Sequence, residues 1–597
     1  MNEHDNNMIF DKASFISNYE AFDYLFEITD PREFESMKLN LKGEAKSLGV
    51  PASTFNSLLK VYQRSKNLPK PQTVAVTKLS DFNFNMGAWS FGKNYSVIKT
   101  NGEGVTTACA HPIWIKRKMV NCISGERKVE LVFSRDIKNW KTIIVNKSVI
   151  STATSITGLN ELGISVTSDN AKTLVTFLQN FEDLNYEKIP EVKSINRFGW
   201  IRGNRFSPYC EEYTFDSSQS FNEIKNAIKP SGDFSKWLDM AKDIRRNGDI
   251  SARIILAASF SSVLIEPLGG LPFFVHLWGG TENGKTVALM LAASVWADPT
   301  IGRYAKSFNS TAVAQETIAG LLYSMPLVLD ELQSVSSRKS FDKMIYELTE
   351  GTGRARGNIS GGLRETLTWK NCILSSGEQP ITKTLSGGGA KNRIIEIECD
   401  AKLFNDPIGM CEILQNNYGQ AGKLLIEKLT GEVIEQARLI KQEIYKDLIE
   451  DGFTEKQTMA ASLIMTADII VGHLLFDDLG SLKKEDISAY MLRADEVSKE
   501  VKSYEWLRGW LAQNGNKFKE NEWTECYGKE VTGGIAIIST VLREACENED
   551  IALEVLTSYL KKMGKLKVSS NGKKSRAIRI DGRSTKCYVI LDEFEDD

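Results

Sequence analysis

The chemistry most legible in this chain sits in eight consecutive residues: Gly279, Gly280, Thr281, Glu282, Asn283, Gly284, Lys285 and Thr286. They fit the pattern G-x-x-x-x-G-K-[ST]. That pattern suits a run of phosphates. Gly279 and Gly284 let the backbone curl so that several N–H groups converge on one anion. A helix starting just after the loop adds partial positive charge. Lys285 can reach the β- and γ-phosphates of a nucleotide, and Thr286 can ligate Mg²⁺. The neighbouring sequence supplies the elements this needs. Residues 273–278 read as a buried strand and 287–296 as an apolar helix. A glycine turn entering a core helix is the structural alternative.

A second chemical signal follows 45 residues after the lysine. In MPLVLDELQS (325–334), Leu327 to Leu329 read as a short buried strand ending in Asp330 and Glu331. Carboxylates at the C-terminal end of such a strand lie where ligands bind in open α/β sheets. Asp330 would hold Mg²⁺ through water, and Glu331 would polarise an attacking water. The pair points to hydrolysis of ATP rather than transfer to a small acceptor. A third strand is read in WKNCILSSGEQP (369–380), with Ser375 and Ser376 at its polar end. AKNRIIEIE (390–398) then places Arg393 before a last β-rich run, where its planar donors can serve the charge of a transferring phosphoryl group.

Two segments could meet a polyanion. The glycine-rich stretch 350–371 carries Arg354, Arg356 and Arg364 around a Ser-Gly-Gly turn at 360–362, and reads as a β-hairpin with a basic tip. Phosphates are common to every DNA sequence, so basic side chains there can grip at any step. Residues 561–590 hold ten Lys or Arg, among them Lys565, Lys573, Lys574 and Arg576, against one acid, Asp581. A helix followed by strand, turn and strand would make this a winged helix, with Asn571-Gly572-Lys573-Lys574 in or near the wing. A flexible loop and a solvated basic face are the plain alternatives.

These residues need a scaffold, and the rest of the chain supplies one. It has 597 residues at net charge −3, so a polyanion partner is argued from local charge alone. Residues 1–70 read as helical, with a tight turn at Gly49 and Ser53 or Thr54 as a cap, which suits a helix-turn-helix or an ordinary small bundle equally. A Pro-rich linker, LPKPQ (68–72), leads to a β-rich region, 73–240, with an Asn-Gly turn at 101–102. Residues 241–400 alternate helices and buried strands, implying a parallel α/β core. Residues 401–510 read as helical, 511–597 as a basic winged-helix-like domain, and the tail 592–597 as disordered. Nine scattered cysteines with no C-x-x-C spacing fit a reducing compartment. The N-terminal residues contain no apolar signal core, and the longest uncharged apolar stretch, 254–265, is too short to span a bilayer. A soluble, cytoplasmic protein with no membrane partner is expected.

Taken in order, the phosphate loop, Asp-Glu pair, basic hairpin, Ser-Ser-Gly-Glu strand end, Asn392-Arg393 and helical lid resemble the minichromosome maintenance (MCM)-like AAA+ helicases. More closely, they resemble the replicative helicases carried by staphylococcal cassette chromosome elements. The resemblance is specific over about 250–500. It implies a multidomain α/β fold: an AAA+ P-loop ATPase core with a helical lid, a helical plus β-rich N-terminal region and a C-terminal winged helix. It also implies ATP and Mg²⁺ as cofactors, a hexameric ring, and unwinding of single-stranded, forked or double-stranded DNA. Single-stranded-DNA-binding and polymerase proteins of the same element are candidate partners. The resemblance makes Ser376 or Ser375 a sensor of the γ-phosphate and Arg393 a finger reaching a neighbour's ATP. Where the family's lid begins with a sensing Arg-Gln, this chain has Lys456-Gln457, so the charge survives without the forked geometry. An initiator or loader controlled by ATP, and a small-molecule phosphotransferase, are the competing readings.

Overall fold

The computed structural model describes residues 10–16, 19–27, 31–66, 72–74, 82–101, 104–201, 205–216, 221–307, 311–331, 338–354, 357–358, 362–363, 366–381, 391–519, 525–549, 551–569 and 572–591. The chain divides into two compact units, Met1–Asn226 and Ala227–Asp597.

The first unit opens on four helices, Lys12–Ile16, Glu20–Glu27, Pro31–Ser47 and Ala52–Lys66. They enclose a core that includes Phe15, Phe22, Leu41, Phe55 and Leu59. The turn falls at Gly49, whose φ of +76° favours glycine. The expected cap is corrected. The last helix starts at Ala52, so Ser53 and Thr54 are exposed residues of its first turn. Pro51 opens the helix instead. It has no N–H to leave unpaired, and its carbonyl accepts from Phe55 N at 2.9 Å.

The rest of this unit is mainly sheet. Six strands lie in the order 72–74, 140–146, 127–133, 113–121, 191–195, 214–215. A three-stranded sheet, 89–91, 97–101 and 104–109, accompanies them. Helix Ala171–Leu184 contributes Leu174, Phe177, Leu178 and Phe181 to their shared core. Asn101 pairs with Gly104 in a hairpin, and residues 102–103 between them lie outside the described residues. So do residues 68–71 of the expected linker and the tail 592–597.

The second unit is built on a five-stranded, all-parallel sheet. Its strands are β1 (Phe273–Trp278), β2 (Lys306–Ser307), β3 (Leu327–Asp330), β4 (Cys372–Gly377) and β5 (Ile394–Glu398). The spatial order is β2-β3-β4-β1-β5. Parallel strands covered on both faces need near-continuous apolar runs, and β1, β3 and β4 are buried almost throughout. Helices α1 (Phe234–Asn247), α2 (Ile250–Ser261), α3 (Lys285–Ser294), α4 (Ala312–Leu322) and α5 (Arg338–Glu350) accompany the sheet.

A helical segment follows β5: Pro407–Asn416, Gln420–Lys428, Gly431–Glu450 and α6 (Glu455–Val471). Among the described residues, Glu455–Phe476 alone is long and apolar enough to cross a membrane, and 78% of its apolar window is buried. Arg245 of α1 ties its far end down. The fully buried guanidinium bonds Asp468 Oδ1 at 2.5 Å and Asp478 Oδ1 at 2.6 Å. Burial alone would disfavour that cation, and the two carboxylates keep it charged.

The C-terminal part carries helix Lys499–Gln513, then β6 (Gly528–Val531), β7 (Gly534–Ile538), α7 (Ser539–Asn548), α8 (Leu553–Lys562), β8 (Arg576–Ile580) and β9 (Arg583–Leu591). The sheet order is β6-β7-β9-β8. Residues 572–574 lie just before the last hairpin, whose tip falls further on. Ile580 pairs with Arg583 around Asp581 and Gly582, both at positive φ. Asp-Gly suits that two-residue turn geometry. Asn571 lies outside the described residues, and the turn around Gly572 is closed by Ser569 N on Lys573 O at 2.9 Å, at the base of the hairpin.

Candidate active site

Strand β1 ends at Trp278 and the chain turns at once into the glycine loop. Gly279 has φ +142°, and a Cβ there would sit 2.4 Å from the Cys399 carbonyl oxygen. Gly284, at φ +89°, begins α3. The loop is held against the residues that follow β5. Asn283 Nδ2 donates to Cys399 O at 2.7 Å, and Leu403 N donates to Asn283 O at 3.0 Å. Lys285 folds over the loop and donates to Gly279 O at 2.9 Å and to Gly280 O. A concave backbone loop, a helix N-terminus and an ammonium group therefore share one place.

The acidic pair arrives from β3. Asp330, 5% exposed, is the last residue of that strand. Its Oδ1 lies 3.4 Å from Thr286 Oγ1 and accepts the Ser376 hydroxyl from β4. Ser376 Oγ in turn accepts Glu331 N–H at 3.4 Å. Glu331 is exposed and sits at φ +58°, a conformation a non-glycine residue adopts at some cost. The bend turns the chain out of the sheet directly after Asp330. Lys285, Thr286, Asp330, Glu331 and Ser376 thus gather at the C-terminal edge of β1, β3 and β4.

Arg393 and Lys456 are not part of that gathering. Arg393 precedes β5, and its carbonyl accepts Phe274 N–H at 3.1 Å, at the opposite end of β1. Five steps along the chain separate Phe274 from Gly279, roughly 16 Å. Arg393 lies over the Tyr346 ring at 4.5 Å and lines a cavity of 210 Å³ with Lys456, Glu350 and Thr349. The pKa of Lys456 is lowered, first by burial and then by the Arg393 charge. Lys456 thus stands on this edge and not at its own chain's phosphate loop. The reason is Gln457, which is buried and donates to Ile394 O at 2.6 Å, tying the start of α6 to the N-terminal edge of the sheet.

The basic segments are partly described. Gly357–Asn358 pairs antiparallel with Gly362–Leu363, so 350–371 does contain a hairpin. Residues 359–361 between the two strands, Arg356 and Arg364 lie outside the described residues. Arg354 is half exposed and paired with Glu347 of α5, its Nε 3.1 Å from Oε1. In the C-terminal part, Lys565 donates to Tyr504 Oη at 2.7 Å and Lys574 to Ser558 Oγ at 2.6 Å. Lys573 is exposed and Arg576 half-buried. Arg579 and Arg583, which flank the Asp581-Gly582 tip, are both exposed. The Asp-Gly dipeptide was the signal that could have singled them out.

Two family descriptions match the sequence. Residues 82–367, just under half the chain, match a domain of unknown function (DUF927). Residues 498–595 match the Cch helix turn helix domain. Among solved structures, one described as "SCCmec type IV Cch - active helicase" superposes at a TM-score of 0.63, covering 85% of this chain and 98% of that one at 19% identity. The chain has the fold of that helicase. The expected likeness to the helicases of cassette chromosome elements is borne out at the level of the fold and of the C-terminal domain. A JCV helicase bound to a small acetamide ligand matches at 14% identity over 39% of this chain and 71% of that one. Its TM-score of 0.19 carries no weight. No curated protein matches.

Proposed function

We propose that this chain is an MCM-like AAA+ ATPase, a helicase that couples ATP hydrolysis to unwinding DNA during replication of a mobile element. One observation carries the reading: the phosphate-type loop, Thr286, the Asp330–Glu331 pair and Ser376 converge at one sheet edge. In this reading the Gly279–Thr286 backbone and Lys285 hold the ATP phosphates, and Ser376 meets the terminal one. Glu331 orients and polarises the attacking water. Thr286 and Asp330, hard oxygen donors 3.4 Å apart, fit Mg²⁺, which would screen the phosphate charge.

Arg393 and Lys456 stand together with Glu350, away from their own loop. A hexameric ring gives them a use, because a neighbour's ATP can meet the face that this chain's own ATP cannot. Arg354, Arg356 and Arg364, with Lys565, Lys573, Lys574 and Arg576, are the proposed DNA contacts. The likeness to the cassette-chromosome fold supports the motor over a small-molecule phosphotransferase, and the protein is taken to work in the cytoplasm. The test is ATP hydrolysis by the purified full chain. Lys285→Ala should fold as the wild type does and lose hydrolysis, because the lysine serves phosphate charge rather than the core. Hydrolysis at the wild-type rate by that variant would refute the nucleotide site.

A further inference from the structure

One residue breaks the apolar run of β1. His276 is fully buried in its middle, where a strand leading to the loop would be expected to carry another aliphatic side chain. Its ring bridges to β4 and beyond. Nδ1 lies 3.0 Å from Ser375 Oγ, and Nε2 lies 3.1 Å from the Gln379 carbonyl oxygen. A carbonyl only accepts, so Nε2 carries the ring hydrogen. Burial pushes the imidazole pKa down to about 4, so the ring is neutral near pH 7. Its bare Nδ1 then accepts the Ser375 hydroxyl hydrogen.

Ser375 and Ser376 are consecutive strand residues and face opposite sides of the sheet. Each hydroxyl has its own partner. Ser375 is taken by His276 on β1, and Ser376 by Asp330 on β3. In register, His276 lies opposite Ser375 and Leu277 opposite Ser376. The end of β4 is thus pinned between the strand feeding the phosphate loop and the strand bearing the acidic pair. The Gln379 contact pins the turn that follows. A leucine at 276 would fill the volume but remove the hydrogen bonds to the Ser375 hydroxyl and the Gln379 carbonyl.

We propose that His276 is a positioning residue: through Ser375 and the Gln379 carbonyl it sets the end of β4 so that Ser376 stays aligned on Asp330. The inference rests on the ATPase reading above. It assigns the sensing role to Ser376 and a strut role to Ser375.

Steady-state MgATP hydrolysis by the full chain tests it, with nucleotide affinity and thermal melting measured alongside. His276→Leu should fold and bind nucleotide about as tightly as the wild type, while kcat falls by about tenfold or more, as misplaced catalytic groups do. His276→Gln, whose amide N–H can still reach the Gln379 carbonyl, should restore much of kcat. Ser375→Ala should lower kcat at unchanged KM, and adding it to His276→Leu should cost nothing further. Wild-type kcat in His276→Leu, or in Ser375→Ala should the leucine variant not fold, overturns the proposal while leaving the ATPase reading intact. Equal losses in His276→Leu and His276→Gln, with affinity falling in step, would make the histidine a packing residue and overturn it too. Absence of hydrolysis in the wild type would overturn both readings together.

Discussion

Asp330 answers two hydroxyls at once, from Thr286 and Ser376, while the next residue leaves the strand at φ +58°. That bend separates the two carboxylates by role: one buried against the loop, the other exposed beside it. Glu331→Gln should therefore still bind ATP but hydrolyse it at least roughly 10²-fold more slowly, since an amide does not act as a base. Lost binding in an equilibrium titration would instead make Glu331 a structural or metal-holding group. The composition of this edge was legible because glycine spacing, Lys-Thr and Asp-Glu each announce one chemical need. The choice between Ser375 and Ser376 was not, because alternation along a strand says they face apart but not which face looks at Asp330. His276 is hidden in the sequence for a related reason. A single polar residue in an apolar run declares itself only when its partners, Ser375 and Gln379, about a hundred positions away, are seen beside it.

The elements around the site were legible where the pattern was strong. The run 273–278 is β1 in full, and the apolar helix after the loop starts at Lys285, two residues before the expected 287. Short or competing signals misled. Ser53 and Thr54 are good caps in isolation, but Pro51 opens the helix first. The Asp581-Gly582 turn, which makes the tip of the last hairpin as Ile580 and Arg583 pair across it, went unread beside the Asn571-Gly572 signal. The two-residue strand β2 carries too little sequence to be read at all. At this scale the hairpin in 350–371 makes a distinct prediction. Replacing Arg354, Arg356 and Arg364 by Ala should impair unwinding far more than DNA-free ATP hydrolysis. The slope of log affinity for DNA against log salt should also fall by about one for each phosphate no longer neutralised. Arg354 already has Glu347 as a partner, so its own share is expected to be the smallest of the three. Equal loss of hydrolysis and unwinding would make the hairpin part of the ATPase machinery instead.

For the whole molecule, the separation of Arg393 and Lys456 from Gly279–Thr286 is the feature with the largest consequence. Sequence order placed Arg393 at the start of the last strand. It could not reveal that Gln457 holds Lys456 on the same edge. If both serve a neighbour's nucleotide, Arg393→Ala should bind ATP and lose hydrolysis by ~10³-fold or more. Mixing it with Lys285→Ala should restore part of the ATPase rate, because some interfaces in a mixed ring then join an intact loop to an intact arginine. No recovery despite demonstrated subunit exchange would argue against action across an interface. In the proposed function, hydrolysis drives strand separation rather than merely gating a loader. The most direct measurement is displacement of a labelled strand from a forked duplex by the purified full chain with MgATP. Displacement is expected with ATP, none with a non-hydrolysable analogue, and none with Lys285→Ala. ATP hydrolysis and DNA binding without displacement, across forks of either polarity, would contradict it and leave the ATP-controlled initiator or loader.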